Sequence, residues 1–174
     1  RDAFVACIQL NEFNKRCDRI KMANIAQTIN VLQALIFTRD DKMLLTPTYH
    51  VYNLYKVHHD AVLLPSDLSC GTCGTDGQQL PVLNVSASKD RNGFIHVSIV
   101  NIDPKEDVPL AIDIRGVTVK EVTGKILTGE GFSSFNTFED PDAVKPVAFG
   151  DAKISRDGLS VRVPARSIVV LEIK

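Results

Sequence analysis

After Pro81 the apolar residues recur at alternate positions, in short runs separated by turn-forming residues, and this pattern limits what the chain can fold into. Val85 and Ala87 lead into Asp90-Arg91-Asn92-Gly93, and Ile95, Val97 and Ile99 follow. Leu110, Ile112 and Ile114 repeat the alternation, as do Val117, Val119 and Val122. Ile154, the turn Arg156-Asp157-Gly158, and Leu159, Val161 and Val163 read as a hairpin. Ile168, Val169, Val170, Leu171 and Ile173 close the chain as a more fully buried strand. Successive side chains of a strand point to opposite faces, so each run offers one apolar face that must be covered. About seven or eight such strands at this spacing predict an antiparallel β-sandwich over residues 82–174.

The first 64 residues have a different period. Ala3, Cys7, Leu10 and Cys17, with Phe4, Ile8 and Phe13 beside them, predict an amphipathic helix over 2–17. Lys15, Arg16 and Arg19 stand near its end, where cations suit the helix dipole. Residues 20–26 read as a short buried strand. The runs 31–37 and 42–45 flank Thr38-Arg39-Asp40-Asp41 as a hairpin or irregular excursion. Thr46-Pro47 is a helix start, a capping hydroxyl followed by proline at the first helical position, and the helix extends to about His59. Helix, strand, excursion, helix is the pattern of one end of an α/β barrel or sheet. Residues 65–81, rich in Gly, Ser, Thr and Asp, read as the linker. The fold class expected is therefore mainly β, with an α/β N-terminal part.

Charge and composition exclude several partners. The net charge is -1 and the basic residues are scattered, so there is no stripe to meet nucleic-acid phosphates. No apolar run approaches the ~20 residues that cross a bilayer. The absence of tryptophan counts against a flat aromatic platform for sugars. Arg1 stands where a helix is already under way, which reads as a fragment or processed product. Cys7 and Cys17 read as buried thiols. Cys70-Gly71-Thr72-Cys73 lies among turn residues and reads as an inert loop or a local disulfide. No second cysteine pair or paired histidines complete a metal site, and no glycine-rich loop offers a cofactor cradle, so no metal or cofactor is expected.

The ionisable residues assemble no complete active site on their own. Glu12 falls on the polar face of the first helix, Asp40 and Asp41 in a turn, and Glu139, Asp140 and Asp142 in a proline-bearing loop. Each reads as solvated charge. His58 and His59 stand at a helix end, His50 in the first turn of that helix, and His96 on the outward side of a strand. Asn84-Val85-Ser86 is a sequon of the kind that arises by chance. Residues 21–30 stand apart, for here Asn24, Gln27 and Asn30 punctuate an apolar run with almost no charge after Lys21. A buried amide without a partner costs about 1–3 kcal/mol. These amides therefore either tie strand to loop or aim hydrogen-bonding groups at a ligand.

Two long segments carry a family resemblance. Cys17-Asp18-Arg19-Ile20-Lys21-Met22-Ala23-Asn24-Ile25-Ala26-Gln27-Thr28-Ile29-Asn30-Val31-Leu32-Gln33 closely resembles glycoside hydrolase family 51, the α-L-arabinofuranosidases. So does Met43-Leu44-Leu45-Thr46-Pro47-Thr48-Tyr49-His50-Val51-Tyr52-Asn53-Leu54-Tyr55-Lys56-Val57-His58. The closing Val163-Pro164-Ala165-Arg166-Ser167-Ile168-Val169-Val170-Leu171 is similar to the family's end, in a pattern many sandwiches share. The resemblance implies the terminal piece of a (β/α)8 barrel in residues 1–64, with 20–26 as the last barrel strand and 46–59 as the last barrel helix. A jelly-roll-like β-sandwich then follows in 82–174. It implies that Gln27, at the end of that strand, hydrogen-bonds the bound arabinofuranose, with Asn24 and Asn30 behind it. It implies a retaining hydrolase of arabinose-containing oligo- or polysaccharides, whose two catalytic glutamates belong to earlier barrel strands. Catalytic residues are thus expected in the remainder of the barrel and not in this chain, which would be inactive alone. The competing expectations are a sandwich that binds carbohydrate by itself, or one that only buttresses the barrel and supports homo-oligomer contacts.

Overall fold

The computed structural model describes residues 1–26, 28–75, 77–156 and 158–174. Helix α1 spans Asp2–Lys15 and is followed by an irregular stretch. The hairpin of β1 (Ile36–Arg39) and β2 (Lys42–Leu45) turns at Asp40, whose φ of 55° lies in the left-handed region that Asp tolerates. Helix α2 (Pro47–Tyr55) starts as expected, with the Thr46 hydroxyl accepting from the Tyr49 N–H at 3.3 Å and Pro47 inside the first turn. It tightens into a 3₁₀ turn at Lys56–His58. The strands that follow are β3 (Val62–Leu64), β4 (Thr72–Thr75), β5 (Gln78–Pro81), β6 (Leu83–Lys89), β7 (Ile95–Asn101), β8 (Val108–Asp113) and β9 (Val122–Thr128). The last four are β10 (Val147–Ala148), β11 (Ala152–Ser155), β12 (Gly158–Val163) and β13 (Ser167–Ile173).

These strands build a β-sandwich. One sheet has six antiparallel strands in the order β10-β9-β13-β7-β6-β3, and the facing sheet has the order β11-β12-β8. Val97, Ile99, Leu159, Val161, Val163, Val169, Leu171 and Ile173 fill the space between them. The outer face of the six-stranded sheet is covered too, because α1 and α2 lie against it. Ala3, Cys7, Val51, Leu54 and Tyr55 pack there on Val100, Leu127, Ile168 and Val170. Strand β13 therefore serves two cores, with Val169, Leu171 and Ile173 facing the sandwich and Ile168 and Val170 facing the helices. That is why residues 168–171 are continuously apolar, as a strand stretch covered on both sides must be.

Several expectations need correction. Residues 20–26 form no strand and are mostly exposed. A parallel barrel strand exists only through ladder bonds to neighbouring strands, and the described residues bring none beside it. Helix α1 stops at Lys15, so Cys17 is an exposed thiol in the turn beyond, while Cys7 is buried as expected. Val117 and Val119 lie outside the ladder, which begins only at Val122. Residues 72–81, expected as loop, pair as the hairpin β4–β5, and β3 joins the large sheet through β6. Cys70 and Cys73 are free thiols resting against the sandwich core. Of the hairpin turn at 156–158, Asp157 lies outside the described residues, whereas β11 and β12 pair as expected.

Truncation of Leu171, which is fully buried in the middle of β13, leaves a cavity that rigid neighbours cannot close. Leu171→Ala should cost about 2–5 kcal/mol, read as a lower urea midpoint with an unchanged denaturant slope. An unchanged midpoint would show that β13 is not the centre of the fold.

Candidate functional site

Gln27 itself lies outside the described residues, but the chain that follows it is held closely. The Thr28 carbonyl accepts from the Leu35 N–H at 3.0 Å and from the Ile36 N–H at 3.1 Å. The Asn30 N–H donates to the Ile36 carbonyl at 3.1 Å, and Ile29 bridges Ile36 in parallel sense. The Asn30 side chain completes the contact in both directions. Its Nδ2 donates to Thr38 Oγ1 at 2.7 Å, and its Oδ1 accepts from the Thr38 N–H at 2.7 Å. Asn30 and Gln33 both adopt positive φ, 55° and 58°, and the chain reverses between them to enter β1. The amides expected to be buried are not: Asn24 and Asn30 are both exposed in this chain.

The β1–β2 hairpin is in turn fastened to the sandwich by the loop between β9 and β10. Asn136 is the centre of that junction, only 6% exposed. Its Nδ2 donates to the Leu45 carbonyl at 2.8 Å and the Val144 carbonyl at 3.0 Å, while its Oδ1 accepts from the Val144 N–H at 2.7 Å. Beside it Arg39 pairs with Glu139 at 2.9 Å and lies over the Phe138 ring at 4.3 Å. A groove of about 370 Å³ runs along this junction, lined by Gln33, Phe37, Thr46, Phe132 and Phe135 among others.

The remaining candidates are placed elsewhere. The Glu12 carboxylate is engaged by Lys15 at 2.9 Å and by the Asn84 amide at 3.0 Å. These two hydrogen bonds, the lysine's first, hold it below the usual carboxylate range, which is the wrong direction for a general acid. Asp142 pairs with Lys145, and Asp40 sits at the hairpin turn. No described group of three or more His, Cys, Asp or Glu residues converges as metal ligands. The Asn84 side chain of the sequon is occupied by Asn11 and Glu12.

Two histidines differ from expectation. His96 points away from the sandwich core as expected, yet is only 3% exposed because the helices cover that face of the sheet, and its Nε2 meets Asp90 Oδ2 at 3.2 Å. His58 stands at the helix end as expected, but is largely buried there. It is wedged between Ser88 Oγ, 2.7 Å from Nδ1, and Ser98 Oγ, 3.1 Å from Nε2. Ser98 and Ser86 both donate to Asn11 Oδ1 at 2.8 Å, and Asn11 Nδ2 donates to Asn84 Oδ1 at 2.7 Å. Burial, reinforced by the nearby His96 and His59, lowers the His58 pKa to about 4. No sequence signal marked this network, since serines and asparagines at alternate strand positions ordinarily denote a wet face.

Comparison with known proteins decides the family. The chain matches the α-L-arabinofuranosidase C-terminal domain over residues 1–167. It belongs to that family. It is 45% identical over its whole length to an intracellular exo-α-L-arabinofuranosidase of Bacteroides ovatus, of which it spans 34%. The glycoside hydrolase family 51 arabinofuranosidase of Xanthomonas axonopodis pv. citri superposes on the whole chain with a TM-score of 0.97 at 40% identity, over 35% of that protein. The thermostable family 51 α-L-arabinofuranosidase of Thermotoga petrophila covers 99% of the chain with a TM-score of 0.85 at 25% identity, over 38% of its own length. The chain thus spans about a third of the relatives it matches.

Within this arabinofuranosidase domain, His58 has a consequence for pH. Its ordinary pKa of 6.5 describes the unfolded chain and about 4 the folded one. Between those values the unfolded state binds a proton that the folded state refuses, so stability falls as pH drops from 6.5 towards 4. The shift corresponds to about 3 kcal/mol in full. Denaturation midpoints across this window should show that slope in the wild type and a shallower one in His58→Asn; equal slopes would rule His58 out as its source.

Proposed function

We propose that this domain completes a retaining α-L-arabinofuranosidase that removes terminal α-L-arabinofuranosyl residues from arabinose-containing oligo- or polysaccharides. Similarity along the entire chain to a protein named as an exo-α-L-arabinofuranosidase carries this reading. In the proposed enzyme Gln27 hydrogen-bonds the arabinofuranose ring. Retention of configuration requires two carboxyl groups about 5–5.5 Å apart, one acting as nucleophile and the other as acid and then base. Both are assigned to parts of the enzyme outside these residues, as the family resemblance implies, and Glu12 is committed to Lys15 and Asn84.

Residues 1–64 are assigned to the barrel side of the enzyme and 82–174 to the sandwich, with 65–81 joining them. Large apolar side chains near Gln27 support a packing partner for the first segment: Met22 is 75% exposed, Ile29 52% and Leu32 86%. Exposed apolar side chains of this size, where they join into one patch, mark surfaces that are covered in the working protein. The remainder of the barrel is the occupant proposed for them. For the sandwich itself a buttressing role is preferred to independent glycan binding, because its loop is spent on holding the β1–β2 hairpin through Asn136.

An aryl α-L-arabinofuranoside tests the assignment. The full-length enzyme should hydrolyse it and residues 1–174 alone should not; turnover by the short chain would overturn the placement of the chemistry. Gln27→Ala in the full-length enzyme should lower kcat/KM by about 10–100-fold, the loss expected when one substrate hydrogen bond goes unmade. Wild-type kinetics in that variant would remove Gln27 from the site.

A further inference from the structure

We propose that Asn30 is a positioning residue: it locks the segment that follows Gln27 onto β1, an inference that rests on the reading of Gln27 as the sugar-binding residue. Asn30 stands three positions beyond Gln27. Its amide group reproduces a strand's donor and acceptor, giving Nδ2 to Thr38 Oγ1 and taking the Thr38 N–H on Oδ1, both at 2.7 Å. The backbone adds three bonds over the same span, two to the Thr28 carbonyl and one from the Asn30 N–H. The two side-chain bonds are the outermost of the set, and they alone reach as far along β1 as Thr38.

Outside these bonds the segment has little to hold it. Thr28, Ile29 and Asn30 are exposed, and the ladder amounts to one isolated bridge. The site also demands an unusual backbone. A φ of 55° is readily adopted by Asn, Asp and Gly but costs most other residues. Beyond Thr38 the restraint continues into rigid structure, since β2 ends at the carbonyl of Leu45, which buried Asn136 binds from the sandwich loop. The Thr46 N–H also returns to the Leu35 carbonyl at 3.0 Å, closing the base of the hairpin. Misplacing a substrate-binding group by about 1 Å can cost on the order of a hundredfold in rate. Asn30 acts on the sugar only through Gln27.

The test uses the full-length enzyme with an aryl α-L-arabinofuranoside and free arabinose. Asn30→Gly keeps the left-handed backbone and removes the amide. It should lower kcat/KM by about tenfold and weaken arabinose inhibition, with the melting temperature little changed. Asn30→Asp, which still accepts from the Thr38 N–H, should recover most of the loss. Thr38→Val removes only the Oγ1 that accepts from Asn30 Nδ2, keeps the Thr38 N–H bond, and should give a smaller loss in the same direction, so the proposal remains testable if Asn30→Gly folds poorly. In the Gln27→Ala background Asn30→Gly should cost nothing further. Additive losses, or wild-type kinetics in both Asn30→Gly and Thr38→Val, would overturn the positioning role while leaving Gln27 in place. Wild-type kinetics in Gln27→Ala would overturn the underlying reading as well.

Discussion

Between the helices and the six-stranded sheet a run of hydrogen bonds passes head to tail through the protein. The hydroxyls of Ser86 and Ser98 both lie 2.8 Å from Asn11 Oδ1, and His58 bridges Ser98 through Nε2 and Ser88 through Nδ1. Asn11 then donates to Asn84, and Asn84 to the Glu12 carboxylate. Every member named here has a hydrogen-bond partner within the protein. Apolar packing tolerates sliding of a helix over a sheet, but a buried polar chain does not, since each broken link leaves a group unpaired in a low-dielectric setting. We hypothesise that this seam sets the register of α1 and α2 on the sheet; helix positions unchanged in an Asn11→Leu variant would disprove it.

The serines of the seam also explain how two cores share one sheet. Ser86, Ser88 and Ser98 are small enough to let α1 and the turn after α2 approach closely, whereas Val85, Val97 and Ile99 on the opposite face fill the sandwich. Strands β6 and β7 are thus polar-small on one side and apolar-large on the other, yet buried on both. At β13 the polar requirement lapses and both faces become apolar. The sheet therefore grades from a hydrogen-bonded contact beneath α1 to a hydrophobic contact beneath α2.

Most of the sandwich was legible from alternation alone, because inward-facing Val97, Ile99, Val161 and Val163 obey a period of two. What alternation could not reveal is which outward faces meet water. His96 and the serines of β6 carry an ordinary exposed pattern, and only helices arriving from distant sequence bury them. Residues 20–26 failed for the opposite reason. Their apolar content reads as strand, but strand is a relation to neighbours, and the described residues bring no strand beside them. Local sequence marks Gln27 only as one of three amides in an apolar run, and the resemblance alone singles it out, while the bonding of Asn30 required the fold of the hairpin to be seen.

Three links join the sandwich to the β1–β2 hairpin, and their strengths differ. The Arg39–Glu139 pair joins two exposed groups, 53% and 74% accessible, and pairs of that kind contribute about 0–1 kcal/mol. The cation–π contact of Arg39 with Phe138 adds about 0.5–1 kcal/mol at such a site. Asn136 is different in kind. It is buried, makes three hydrogen bonds and joins the end of β2 to the loop that carries Val144, itself in the helix–sheet core. Salt screens the Arg39 pair but barely touches a neutral buried amide. The connection from the sheet to Leu45, and through the hairpin to Thr38 and Asn30, therefore rests on Asn136 more than on the charged clasp beside it.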